Sequence, residues 1–202
     1  MSDPTSNGTG VAELGRELYE RALVRREDEE ITDPTGQPIG WLLDTRMALM
    51  EGDLFQEVGS VIASELVDRG VRQVTGYGFG AYPVVCAVLA SEEGRHFSGG
   101  LIRSQRKRYG RKRLVEGAVD EEMPVVLLDD ILNSGRSAEK AIGLLDREGY
   151  SVSGLFTLFN FTWGGGKSRI LSQGLWVDTL LNLNLRDEDK NPSAQSDSMG
   201  RE

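Results

Sequence analysis

The sequence predicts one α/β domain with a mostly parallel sheet flanked by helices. Three observations carry that expectation. Some segments repeat apolar residues at helical spacing, others hold short unbroken apolar runs, and the two kinds alternate, with glycines punctuating the changes. A length of 202 residues suits one domain. A 39% hydrophobic share, 27% charged residues and a mean hydropathy of −0.33 describe an ordinary globular chain with a real core.

The elements follow in order. Residues 1–9, rich in Ser, Asn, Gly, Thr and Pro, read as a disordered leader. Val11, Leu14, Leu18 and Ala22 then predict a first helix, before a turn-rich stretch at Asp33-Pro34-Thr35-Gly36. Phe55, Val58, Ile62 and Leu66 predict a second helix that Gly70 stops. Val71 to Thr75 reads as a strand, Pro83 to Ala90 as an apolar helix entered through a glycine loop, and Gly99 to Arg103 as the approach to a basic segment. Val125 to Leu128 has the unbroken apolar run of a strand buried on both faces. A helix over Ser134 to Glu148 turns Ala138, Ile142 and Leu145 inward and ends at Gly149. Ser151 to Phe159 is a strand, Lys167 to Gln173 a short helix, and Trp176 to Leu181 the last strand. From Arg186 the acidic, polar tail reads as disordered, which leaves residues 10–185 as the domain.

Charge and composition exclude several classes. No apolar run approaches the roughly 18 residues of a membrane span. The stretch from Met1 has neither the basic flank nor the apolar core of a secretory signal, so a cytoplasmic location is expected. One cysteine, Cys86, allows no internal disulfide and is expected as a buried filler; the single His96 leaves no Cys/His metal cluster. A net charge of −9 and a pI near 4.8 argue against a dedicated nucleic-acid-binding domain. Yet seven bases and no acid fall between Arg103 and Arg113. An acidic chain that gathers cations in one short segment is expected to hold a small polyanion there, although a solvated face or a nucleic-acid patch also fits a basic run.

The most informative segment runs Val125-Val126-Leu127-Leu128-Asp129-Asp130-Ile131-Leu132-Asn133-Ser134-Gly135-Arg136-Ser137. Two carboxylates are expected at the C-terminal end of a buried strand, where open α/β sheets bind ligands. The Gly/Ser/Asn loop that follows opens into a helix, whose free N–H groups and positive dipole end suit a phosphate monoester. The carboxylates repel phosphate but accept hydrogen bonds from sugar hydroxyls. Acids followed at once by a phosphate cradle describe a ribose 5-phosphate site. The bland reading is a strand end followed by a capped turn, and the whole arrangement outweighs it.

This segment resembles the phosphoribosyl pyrophosphate (PRPP) motif of type I phosphoribosyltransferases, and the layout of residues 10 to 183 is similar to that of the orotate members. The resemblance implies a type I phosphoribosyltransferase-like fold with a small N-terminal hood at about residues 25–50. It implies that Asp129 and Asp130 bind the ribose hydroxyls and that the loop of Ile131, Leu132, Asn133, Ser134, Gly135, Arg136 and Ser137 binds the 5-phosphate. Arg136 stands where the family usually has a small residue.

A second loop, Gly76 to Pro83, has glycines at alternate positions, which suits a pyrophosphate but equally a plain strand-to-helix turn. By the resemblance, Gly78, Phe79, Gly80 and Ala81 form the pyrophosphate loop, with Gly80 where the orotate members often have a lysine. The basic segment resembles the family's flexible catalytic loop, with Arg103 and Lys107 matching its basic residues. Ser104 stands at a common lysine and Tyr109 at a common histidine. Cations closing over departing pyrophosphate stabilise its charge and exclude water. In the family this loop reaches a neighbouring subunit, which implies a homodimer.

For the base, the stretch from Ile31 to Arg46 lies where the orotate enzymes have a hood with a lysine and an aromatic pair; here Trp41 is its one aromatic residue and lysine is absent. The family's carboxylate-gripping arginine falls near Thr162, and no arginine occurs until Arg169. Phe161 and Trp163 suit stacking on a planar base, with Asn133 and Thr162 beside them, and core packing fits them equally well.

The expectation is therefore a transferase that moves ribose 5-phosphate from PRPP to a nitrogen of a pyrimidine-like base, as in pyrimidine nucleotide biosynthesis. Mg²⁺ would be held mainly by PRPP rather than by protein ligands. Other readings stay open: a transferase for a different base, a non-catalytic PRPP or nucleotide sensor, or a polyanion binder that uses only residues 103–113.

Overall fold

The computed structural model describes residues 6–32, 36–106, 110 and 113–184. Helix α1 (Ser6–Ala22) buries Leu14, Leu18 and Ala22 and leads into strand β1 (Leu23–Arg25). It begins inside the stretch expected as leader. Once the turns anchored by Leu14 and Leu18 exist, adding another turn costs far less than nucleating one, so polar composition does not set the boundary. β1 pairs antiparallel with β2 (Trp41–Leu43), and a bridge between Thr32 and Pro38 closes the connection. The short α2 (Thr45–Leu49) and the long α3 (Gly52–Asp68) follow.

The main sheet alternates with helices: β3 (Gln73–Tyr77), α4 (Ala81–Ala90), β4 (Ser98–Ile102), β5 (Val115–Gly117), β6 (Val125–Leu132), α5 (Arg136–Arg147), β7 (Val152–Phe161), α6 (Gly166–Leu171) and β8 (Trp176–Leu183). Its order is β5-β4-β3-β6-β7-β8, parallel throughout except for β5, which runs against β4. Two buried layers cover it. Val126 and Leu128 join the layer that includes Leu18, Val58, Ile62 and Val85 from α1, α3 and α4. Val125 and Leu127 join Ala138, Ala141, Leu145 and Ile170 from α5 and α6 on the opposite layer. Burial on both faces explains the unbroken apolar run of β6.

Leu54 rather than Phe55 is the fully buried residue at the start of α3. Cys86, expected as a core filler, is exposed on α4. The run Val84-Val85-Cys86-Ala87-Val88 is apolar all round, so periodicity alone does not say which side meets solvent. No helix among the described residues is long and apolar enough to cross a membrane. The acidic tail from Arg186 lies outside the described residues.

Candidate active site

The order of the sheet reverses between β3 and β6: the chain continues outward to β4 on one side and to β7 and β8 on the other. The loops leaving the C-terminal ends of β3 and β6 therefore diverge and leave a crevice, the usual ligand position in such sheets. In this protein those loops are the glycine loop and the segment after the acidic pair.

β6 is longer than its apolar run suggests. Its ladder with β7 continues through Asp129↔Thr157, Ile131↔Phe159 and Leu132↔Asn160. Ile131 and Leu132, expected in the phosphate loop, are thus strand residues, and Leu132 is a core residue at 1% exposure. Ten residues of β7 offer partners well past Leu128, and that pairing outweighs the low strand preference of two aspartates.

The two acids sit in unlike surroundings. Successive strand residues project to opposite faces. Asp129 is 8% exposed, and its Oδ1 accepts the Asp130 N–H at 3.0 Å. Burial, then the neighbouring Asp130 charge, holds its carboxyl well above the usual carboxylate range. Asp130 is half-buried; its Oδ2 accepts from Thr45 Oγ1 at 2.8 Å and its Oδ1 from the Ile131 N–H at 3.0 Å.

Both aspartates line one cavity of about 290 Å³. Tyr77, Gly78, Phe79 and Gly80 supply its wall from the end of β3, Ser137 from the first turn of α5, and Leu43 to Arg46 from the N-terminal segment. Of the expected glycine loop, Gly76 belongs to β3 and Ala81 opens α4, where it is buried. A Cβ at Gly76 would lie 2.8 Å from Val85 Cγ2, so that glycine lets α4 pack closely and does not face a ligand. The loop proper is Gly78 to Gly80, with Gly78 at φ +86°.

After β6, Asn133, Ser134 and Gly135 make the turn, with Gly135 at φ +76°, and Arg136 and Ser137 begin the helix. The first α-helical bond runs from the Glu139 N–H to Gly135 O at 2.9 Å, so the N–H groups of Arg136, Ser137 and Ala138 precede the helical ladder. The far side of the turn is closed by the run Gly164-Gly165-Gly166: the Gly166 N–H donates to Asn133 O at 2.8 Å, and a Cβ at 166 would lie 2.9 Å from Gly135 N. Gly164 and Gly166 are a close-approach device that the linear sequence does not announce.

The other expected residues that are described do not line this cavity. Arg103 follows β4; its N–H donates to Leu114 O at 2.9 Å, and its buried Nε has no hydrogen-bond partner among the described residues. Lys107 and Tyr109 lie outside the described residues. Arg106 pairs with Glu148 just past α5. Phe161 and Trp163 stack on each other, centroids 4.7 Å apart at 19°, and Trp41 meets Phe161 edge-on at 6.0 Å. Thr162 Oγ1 donates within reach of Leu183 O (3.1 Å) and Asn184 Oδ1 (2.8 Å). Arg169 pairs with Glu139 at 3.1 Å behind Gly135. Thr45 and Arg46 were not singled out from the sequence. Asp44 ahead of them is a readable helix cap, and its Oδ1 accepts the Arg46 N–H, but only the fold carries that cap to β6.

No family model matches the chain. Over 183 residues it is 27% identical to the orotate phosphoribosyltransferase of Corynebacterium glutamicum, spanning 91% of this chain and 97% of that protein. It also matches the solved orotate phosphoribosyltransferase of Mycobacterium tuberculosis H37Rv at a TM-score of 0.74 and 25% identity, over 86% of this chain and 96% of that one. The chain has the type I phosphoribosyltransferase fold. The same Mycobacterium enzyme in complex with PRPP matches at a TM-score of 0.66 and 22% identity, over 91% of this chain and 92% of that one. Within this phosphoribosyltransferase fold, the crevice between β3 and β6 brings together both acids, the glycine loop and Ser137.

Proposed function

We propose that this protein is a PRPP-dependent phosphoribosyltransferase of pyrimidine biosynthesis, joining ribose 5-phosphate to a ring nitrogen of orotate or a close pyrimidine. The C1–O bond to pyrophosphate breaks, the leaving group takes the electron pair, and a new C1–N bond forms with loss of the nitrogen's proton. The observation that carries this reading is the single cavity shared by Asp129, Asp130, Gly78–Gly80 and Ser137. Its supports are the orotate phosphoribosyltransferase relatives and a Mycobacterium neighbour solved with PRPP.

In this reading the open N–H groups of the α5 first turn, with Asn133, Ser134, Gly135, Arg136 and Ser137, receive the 5-phosphate. Asp129 and Asp130 take the ribose hydroxyls unequally. Asp130 is the ready acceptor, and Asp129 completes the grip from a desolvated position. Gly78, Phe79 and Gly80 face the pyrophosphate, while Arg103 and Lys107 belong to a segment that closes over it and reaches a second subunit in a homodimer. Residues 10–185 act as one cytoplasmic domain, with residues 25–50 as a hood over the crevice.

Among the described residues no cluster of three or more His, Cys, Asp or Glu side chains can hold a metal ion. Asp129 and Asp130 fit Mg²⁺ only as partners of an ion carried on the substrate's own oxygens. Bound there, the ion would neutralise pyrophosphate charge.

A pyrophosphate-release assay with PRPP, Mg²⁺ and a panel of bases tests the reading: turnover with orotate is the expected result. A different accepted base is the second reading. It draws on the aromatic trio Trp41, Phe161 and Trp163 and on Thr162, whose hydroxyl bonds to β8 and the residue after it. PRPP binding without turnover on any base would mark a sensor instead.

A further inference from the structure

We infer that Arg46 is a cation that receives the pyrophosphate group in this crevice, a task that Asp130 obstructs for a side chain at position 80. The inference rests on the PRPP reading and names a residue that reading does not contain.

A side chain at position 80 meets Asp130. Gly80 has an ordinary right-handed backbone, φ −71° and ψ −36°, so its conformation does not call for glycine. Space does. A Cβ there would fall within 2.6 Å of Asp130 Cγ and 2.7 Å of its Oδ1. Asp130 in turn is fastened by Thr45, so it does not swing aside freely. A lysine at 80 requires Asp130 to leave the position it holds here.

Arg46 comes to the same place from the other wall. Among the described residues lining the cavity it is the one base, beside three carboxyl groups, Asp44, Asp129 and Asp130. A crevice with that balance repels a polyanion unless a cation meets it. The guanidinium lies 5.7 Å from the ring centroid of Phe79, which precedes Gly80 and is 74% exposed. Asp44 grips it along one edge, Nε to Oδ1 at 2.6 Å and Nη2 to Oδ2 at 2.7 Å. That fork aligns the plane of the group while the Nη1 corner keeps its donors for an incoming anion. The side chain is 47% exposed, so an ion pair with Asp44 alone would add little stability. Its placement makes more sense as preorganisation, with Asp44 as the positioning residue.

The same three-residue stretch does two jobs. Thr45 holds Asp130 and Arg46 faces the glycine loop. The short α2 thereby couples the sugar end of the crevice to its pyrophosphate end.

The test compares wild type with Arg46→Gln, Arg46→Lys and, as a control away from the crevice, Arg69→Ala. Each is measured for PRPP turnover and, by calorimetry, for binding of pyrophosphate alone. Arg46→Gln is expected to raise the KM for PRPP and the Kd for pyrophosphate by about 10- to 100-fold, the usual worth of a hydrogen bond to a charged group. Arg46→Lys should recover part of the loss, and Arg69→Ala should match wild type. Adding Gly80→Lys to Arg46→Gln is expected to restore nothing. Unchanged pyrophosphate affinity in a folded Arg46→Gln protein overturns the inference while leaving a wild-type turnover, and so the PRPP reading, intact. Recovery of activity by Gly80→Lys overturns the steric half. Wild type that binds neither PRPP nor pyrophosphate overturns both.

Discussion

Thr45 Oγ1 donates to Asp130 Oδ2 at 2.8 Å across 85 residues of sequence. Thr45 is buried, and the carboxylate it holds lines the crevice. Thr45→Val keeps the shape and removes the donor, leaving one carboxylate oxygen poorly satisfied. The expected cost is about 1–3 kcal/mol. Turnover at low PRPP should fall by roughly tenfold, which steady-state kinetics would read; an unaltered kcat/KM for PRPP would refute a role for this contact.

Asp129 predicts an unusual pH dependence. Its folded carboxyl titrates above the ordinary value because burial and Asp130 disfavour its charge. Between the unfolded and folded titration points the native state binds more protons, so stability present below the unfolded value is lost as pH rises through the folded one. Asp129→Asn removes that loss. Its thermal midpoint should exceed wild type's at neutral pH, the two should converge near pH 3, and PRPP turnover should disappear. Parallel stability curves across that range would count against the buried, proton-holding carboxyl.

Gly80→Ala isolates the steric claim. One methyl group must displace Asp130 or the loop, so catalysis should drop by an order of magnitude or more while the midpoint shifts little, since the loop is at the surface. The check is kcat/KM beside a thermal melt. Full activity would mean that Asp130 moves freely.

Gly166→Ala should act on the phosphate end. The new Cβ would press first on Asn133 O and then on Gly135 N, 2.9 Å away, and spread α6 from the turn. A destabilisation of about 1–3 kcal/mol is expected from overpacking so close a backbone contact. Inorganic phosphate binding, measured by calorimetry, should weaken in the same variant.

Trp163→Ala addresses the base. Losing the ring that covers Phe161 should raise the KM for the accepted base several-fold and leave the KM for PRPP near wild type, a stacking pair being worth about 0.5–1.5 kcal/mol. Equal changes in both constants would leave Trp163, exposed as it is, a cover for Phe161 and not a base contact.

Much of this molecule was legible before its fold. The unbroken Val125–Leu128 run announced a two-faced buried strand, and helical spacing announced α1, α3 and α5, because each depends on local period and composition. The segments that went unread were short or ambiguous. β1, β2 and β5 have three residues apiece, too few to show alternation, and Gly76 reads as loop until α4 is seen packed on it. In the candidate site, the order acid, acid, small-residue turn, helix stood in one continuous stretch and was readable. Thr45, Arg46 and the glycines at 164 and 166 reach it from elsewhere in the chain.

The linear chain by itself determined the α/β alternation, the acidic pair and the helix that opens behind it, since neighbours in sequence carry those signals. Only the tertiary structure decided that the pair is unequal, that Asp130 occupies the space a side chain at position 80 would take, and that Arg46 arrives opposite. Burial, exclusion of volume and the meeting of distant charges are properties of packing, and they exist only once β3, β6 and the N-terminal segment converge.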